Sequence, residues 1–122
     1  MGEGCADIPA VVVLGMISVV IPAYNEEKVL PATLQALFAQ SGAYEVIVVD
    51  GGSSDRTCAI VEGLAISPQS SALSTVRLLT APKGRASQMN VGATQANGAW
   101  LLFLHADTQL PDGAIQRLNE ME

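Results

Sequence analysis

Basic residues are scarce. Six Lys and Arg stand against twelve Asp and Glu, a formal net charge of −6. With no basic stripe, the chain has no electrostatic footprint for non-specific nucleic-acid binding. Cysteine is scarce too. Cys5 and Cys58 share no CxxC spacing, which argues against a disulfide framework or a zinc site and for reduced, cytosolic thiols. The apolar N-terminal run, Ala10 to Ile21, is shorter than the about 20 residues a bilayer span needs. No Lys or Arg precedes it, so it lacks the basic start of a signal peptide. No transmembrane segment and a cytoplasmic location are therefore expected. Three motifs are also missing. No GxGxxG follows the first apolar strand, no GxxxxGK[ST] occurs, and no GxSxG occurs. These absences argue against a dinucleotide fold, a P-loop and an α/β-hydrolase elbow. The only histidine is His105.

Hydrophobic residues make up 49% of the 122-residue chain and charged residues 15%. That balance describes one globular domain with a real core. Met1–Gly15 is read as an extension, with Met16 a second candidate start, and residues 16–122 as the domain. Met16–Ile21 is a β-branched, buried strand that Pro22 should stop. Pro31 fits the first turn of a helix, whose face Leu30, Leu34, Leu37 and Phe38 have 3.6-residue spacing. Glu45–Val49 reads as strand two, and Ser54 or Asp55 as the cap of a helix with Ile60, Val61, Leu64 and Ala65 inward. After a surface loop over Ser67–Thr75 come strand three (Val76–Thr80) and a small-residue helix over Ala86–Asn97, with Gly98 at its C′ position. Trp100–Leu104 reads as a strand buried on both faces. A last helix opens at Pro111-Asp112 with Ile115 and Leu118 inward. Strands alternating with helices imply a parallel sheet in a three-layer α/β/α sandwich.

Every strand ends in a polar cluster: Tyr24-Asn25-Glu26, Asp50 to Asp55, Lys83-Gly84-Arg85, and His105 to Asp107. In a parallel sheet these ends share one edge, where open α/β sheets bind ligands. A carboxylate there, Asp107, is a candidate ligand for a hard divalent cation bridging protein to phosphate.

Ile17–Glu27 (ISVVIPAYNEE), Val46–Thr57 (VIVVDGGSSDRT), Lys83–Gly92 (KGRASQMNVG) and Phe103–Pro111 (FLHADTQLP) together resemble family 2 glycosyltransferases of the GT-A fold. The likeness is to a bacterial subgroup in which His-Ala-Asp stands for Asp-x-Asp. It runs from Met16 to the chain's end and covers the nucleotide-binding portion, so a truncated GT-A-like unit is expected. By that resemblance Pro22, Ala23, Tyr24 and Glu26 hold the base and ribose, with Tyr24 packed on the base. Asp50 hydrogen-bonds the base, and Asp55 caps its helix. Lys83 and Arg85 contact the nucleotide or its phosphates, His105 takes the place of the first acid and with it a nucleotide-binding position at the ribose or a metal-bound water, and Asp107 binds Mg²⁺ or Mn²⁺. Asn90 and Gly92 are read as structural.

The resemblance implies transfer of a sugar from a nucleoside-diphosphate sugar, UDP before GDP, to an acceptor hydroxyl, metal-dependent and inverting. The catalytic base is expected beyond Glu122. The alternative is a nucleotide-sugar-binding fragment without turnover. A sugar nucleotidyltransferase is disfavoured, because PAYNEE (Pro22–Glu27) stands where its Gly-rich basic loop belongs. An apolar edge left by a missing half favours self-association, so a homo-oligomer is expected. Plainer roles stay open for single residues: Asp107 and Asp50 as turn acids, Tyr24 as core, Glu26 and Arg85 as solvated charges, His105 as a satisfied strand-end side chain.

Overall fold

The computed structural model describes residues 15–65 and 74–120. The extension before Gly15 and most of the Ser67–Thr75 loop lie outside the described residues. Four strands, β1 (Ile17–Ala23), β2 (Tyr44–Asp50), β3 (Ser74–Thr80) and β4 (Trp100–Phe103), pair wholly in parallel in the order β3-β2-β1-β4. Helices α1 (Leu30–Phe38), α2 (Thr57–Ala65), α3 (Arg85–Gln95) and α4 (Ala114–Asn119) alternate with them.

The period-two alternation of the strands divides the core. Val19, Ile21, Val46 and Val48 point to the face covered by Leu30, Leu34 and Leu37 of α1, Val61 of α2 and Ile115 of α4. Val20, Ile47 and Val49 point to the opposite face, where Val91 of α3 packs with Ala96. The result is the expected three-layer sandwich, with β1 and β2 as its buried centre.

Helix α3 lies close against the sheet because Gly92 lets it. A Cβ there would stand 2.4 Å from Val20 Cγ1 and 3.1 Å from Val49 Cγ2. At the helix's far end the buried Glu45 carboxylate accepts hydrogen bonds from Ser18 Oγ (2.6 Å) and Asn97 N (2.6 Å), and pairs with Arg77 at 3.2 Å. Burial pushes the Glu45 carboxyl up, but these donors and the guanidinium outweigh it and hold the group below its ordinary range.

Four expectations need correction. Pro22 does not stop β1, which continues to Ala23. The Val20 carbonyl accepts the Leu104 N–H, so residues of even number direct their backbone groups toward β4. The missing Pro22 N–H therefore falls just past the end of β4, where no ladder bond is lost. Gly98 is not a left-handed C′ residue. Helix α3 ends at Ala96 in extended conformation, and Gly98 serves close approach, since a Cβ would sit 2.6 Å from the Met16 carbonyl oxygen. Strand β3 starts earlier, at Ser74. Strand β4 is not buried on both faces: it is the edge of the described sheet, and Trp100, Leu101 and Phe103 are 45%, 45% and 41% exposed. Among the described residues, no helix is long and apolar enough to cross a membrane.

Candidate functional site

Strand order 3-2-1-4 puts a topological switch point between β1 and β4, with a crevice beyond their carboxyl ends. A cavity of about 320 Å³ opens there. It is lined by Pro22, Ala23, Tyr24 and Glu26 after β1, by Lys83, Gly84, Arg85 and Gln88 around the start of α3, and by His105, Ala106 and Asp107 after β4. That volume suits a small organic ligand. Three of the four polar clusters thus converge on one space.

Each wall has its own support. Asn25 adopts φ 53°, the left-handed region that Asn tolerates better than most residues. Its N–H donates to Ser53 Oγ (2.8 Å), and its Oδ1 accepts Ser54 N–H (2.8 Å). The Glu26 N–H donates to Thr57 Oγ1 at 2.9 Å, and the Glu26 carbonyl accepts the Leu30 N–H, starting α1. The loop carrying Tyr24 and Glu26 is therefore bolted to the loop after β2. Asp55 shares in this. It accepts Thr57 N–H at 2.9 Å, one residue ahead of the N-cap position expected for it, and Glu27 N–H at 3.3 Å.

On the β4 side, alternation persists past the strand. Leu104 and Ala106 are buried, and His105 and Asp107 between and after them are exposed. The Ala106 carbonyl accepts a 2.6 Å hydrogen bond from buried Thr33 Oγ1 of α1, which fixes the segment from behind. The Asp107 carboxylate has one distant partner among the described residues, Thr108 Oγ1 at 3.5 Å.

On the α3 side, Gly84 takes φ 143°, which favours glycine, and no side chain caps the helix. The first-turn N–H groups, with their partial positive charge, open beside Gly84 and Arg85 at the rim. Lys83 Nζ lies 4.1 Å from the centroid of the Tyr24 ring. Two of the six Lys and Arg residues thus border one cavity of an acidic chain.

Asp50 is placed differently from the other candidates. It is buried and does not line the cavity. Its carboxylate accepts Gly52 N–H (2.9 Å), Ser53 N–H (2.9 Å) and the Ser53 hydroxyl (2.5 Å). Burial raises its proton affinity, but those donors prevail and hold the carboxyl below its ordinary range. Cys58 beside it is a free thiol pushed up by burial first and by the Asp50 charge second. Sequence reasoning did not single out Gln88, Thr33 or Ala106. A glutamine, a helical threonine and an alanine carry no distinguishing pattern until the fold brings Gln88 and Ala106 to the crevice and Thr33 behind it.

The donor set suits a divalent cation held jointly with a ligand. Asp107 offers an exposed carboxylate, with the His105 imidazole nearby in sequence and in the same wall. No cluster of three or more His, Cys, Asp or Glu exists among the described residues. Mg²⁺ and Mn²⁺ sites built on one or two protein ligands fill their remaining positions with phosphate oxygens and water, so the residues present fit a cation that arrives with a diphosphate.

Known proteins share this fold. The family model "Glycosyl transferase family 2" matches residues 18–121. The undecaprenyl-phosphate 4-deoxy-4-formamido-L-arabinose transferase of Photorhabdus laumondii is 39% identical over 106 residues, covering 84% of this chain and 32% of that protein. Its Yersinia pestis counterpart is 37% identical with the same coverage. The chain thus spans about a third of the length of these curated relatives. Among solved structures, S. aureus TarS 1–349 in complex with UDP superposes with TM-score 0.72 at 27% identity, over 84% of this chain and 30% of that one. The mannosyltransferase PcManGT of Pyrobaculum calidifontis, in complex with GDP-Man and Mn²⁺, gives 0.70 at 28% identity, over 86% and 30%. With a GT-A fold and a family match over nearly its whole described length, the chain belongs to glycosyl transferase family 2.

Proposed function

We propose that this chain forms the donor site of an inverting, metal-dependent glycosyltransferase that takes a nucleoside-diphosphate sugar, UDP before GDP. The observation that carries the reading is the convergence of an aromatic face, two cations and an exposed carboxylate on one cavity at the switch point. The bound UDP and GDP-Man of the two solved relatives support it.

Each wall has a part. The Tyr24 ring packs on the base, with Pro22, Ala23 and Glu26 bordering base and ribose. A base on the face that Lys83 covers would displace the ammonium toward the diphosphate, at a cost of about 0.5–1 kcal/mol for an exposed cation–π contact. Lys83, Arg85 and the uncapped start of α3 neutralise negative charge on the leaving group. Asp107 would hold Mg²⁺ or Mn²⁺, whose Lewis acidity would stabilise charge developing on the departing diphosphate, and the adjoining His105 would contact the ribose or a water on the metal. Asp50 acts from behind by holding the turn that braces Asn25.

An acceptor hydroxyl would need a base, and none is spare in these walls. Relatives named as undecaprenyl-phosphate transferases support a second acceptor class, a lipid-borne phosphate. A phosphate monoester, with its second pKa near about 6, is already an oxyanion at neutral pH and needs no base.

The test is calorimetric titration of UDP, then GDP, into the full chain with and without Mn²⁺, repeated on Asp107→Ala. Binding of one nucleotide that strengthens with Mn²⁺, with the metal effect absent in the variant, is expected. No binding of either nucleotide would refute the reading.

A further inference from the structure

We propose that Gln88 is a positioning residue of this donor site: its buried carboxamide ties the β1 wall to the α3 wall and so sets Tyr24 at its distance from Lys83 and Arg85. The inference rests on the donor-site reading above and adds to it a residue that touches the cavity without a charge or ring to offer a nucleotide.

Gln88 is 4% exposed, a polar side chain buried at the floor of the cavity. Its hydrogen bonds account for both amide hydrogens and the oxygen. Nε2 donates to the Ala23 carbonyl at 2.9 Å and to the Val49 carbonyl at 2.8 Å. Oε1 accepts the Gly84 N–H at 3.1 Å. One planar group thus holds the carboxyl ends of two strands and the residue before α3. Ala23 precedes Tyr24, and Gly84 stands between Lys83 and Arg85, so two of the three bonds end beside side chains that line the cavity, and the third anchors the group to β2.

The pattern demands glutamine. Ionised glutamate donates nothing and protonated glutamate only once, leucine donates nothing, and asparagine is one methylene shorter. The surroundings are shaped to the same group. A Cβ on Gly51 would lie 2.9 Å from both Gln88 Cδ and Oε1, so Gly51 leaves the space that the carboxamide fills. The rest of α3 is held by other means: Val91 and Ala96 pack on Val20, Ile47 and Val49, and Glu45 receives Asn97 at the far end. Loss of the carboxamide therefore frees the first turn of α3 and the 83–85 turn while leaving the helix docked.

The experiment compares the full chain with Gln88→Leu, Gly51→Ala, both together, and Val91→Ala, which removes an apolar contact of the same helix away from the walls. UDP affinity with Mn²⁺ is measured by calorimetry and the melting temperature by circular dichroism. Gln88→Leu and Gly51→Ala should each weaken UDP by about tenfold or more, in keeping with the sensitivity of such sites to small misplacements. The double variant should be little worse than either, because both act on one carboxamide. Val91→Ala should lower the melting temperature with affinity within about twofold of the parent. Losses of affinity in Gln88→Leu and Gly51→Ala no larger than that of Val91→Ala would overturn this inference and leave the donor site standing. A Gln88→Leu chain that does not fold would overturn it too, by making the carboxamide a requirement of the fold. A parent chain that binds neither UDP nor GDP would overturn the donor-site reading, and this inference with it.

Discussion

Substituting Gly92→Ala should destabilise the chain although it improves a helix. Alanine gains about 1 kcal/mol over glycine in a helix interior. Against this, the new methyl would stand 2.4 Å from Val20 Cγ1, 3.1 Å from Val49 Cγ2 and 3.3 Å from Val20 Cγ2. Carbon contacts settle at about 3.5–4.0 Å, so the helix must retreat by roughly 1 Å or the valines must turn. They cannot turn cheaply: both are fully buried in the two central strands and stiff at χ1. Overpacking of this kind costs about 1–3 kcal/mol, leaving a net loss of up to about 2 kcal/mol after the propensity gain. With a urea slope of about 2 kcal/mol/M, the unfolding midpoint should fall by up to about 1 M. The retreat also carries Gly84 and Arg85 away from the β1 wall, so UDP affinity should fall with it. Val20→Ala alone should cost about 2 kcal/mol through lost burial and a cavity. Combined with Gly92→Ala, it should recover about 1–2 kcal/mol relative to the sum, a coupling within the range of touching residues. Equilibrium urea unfolding of the four proteins measures this cycle. A Gly92→Ala midpoint at or above the parent's, or strict additivity, would refute the packing argument.

Two further outcomes follow from the same network. Thr33→Val keeps the volume but removes the donor to the Ala106 carbonyl, and should cost about 1–3 kcal/mol in urea unfolding; a loosened 105–107 segment should also weaken the Mn²⁺ dependence of UDP binding. Acid should destabilise the chain through Glu45 and Asp50, both held below their ordinary range. Their stabilisation is complete above the unfolded values of about 4.3 and 3.9 and is lost as pH falls through the folded ones, so unfolding free energy should decline from about pH 5 downward. Glu45→Gln and Asp50→Asn should each flatten that decline, and an unchanged slope would contradict the assignment.

Much of the fold was legible because periodicity survives in a short chain. The β-branched runs at Val19–Ile21 and Val46–Val49 marked the central strands, and the spacing of Leu30, Leu34 and Leu37 marked α1. What failed depended on neighbours. An apolar run such as Trp100–Leu104 reads alike whether its strand is central or at an edge, and only the strand order shows Phe103 exposed. Pro22 breaks a strand only if a ladder bond is due there, which the sequence cannot show. The convergence of Tyr24, Lys83, Arg85, His105 and Asp107 was legible from the parallel alternation. The difference between Asp50 and Asp107 was not. Both are strand-end acids, yet Asp50 is taken up by the Gly52 and Ser53 donors of its own turn. Gln88 left no mark, because a helical glutamine ordinarily faces water.

The most direct test of the switch-point donor site is nuclear magnetic resonance of the ¹⁵N-labelled chain with UDP, comparing Mn²⁺ with diamagnetic Mg²⁺. Paramagnetic broadening should centre on the amides of His105 to Thr108, extend to Lys83–Arg85 and Ala23–Glu26, and spare Glu45 and Asn97 at the opposite end of the sheet. Broadening centred away from the β1–β4 crevice, or none in the presence of UDP, would contradict the account.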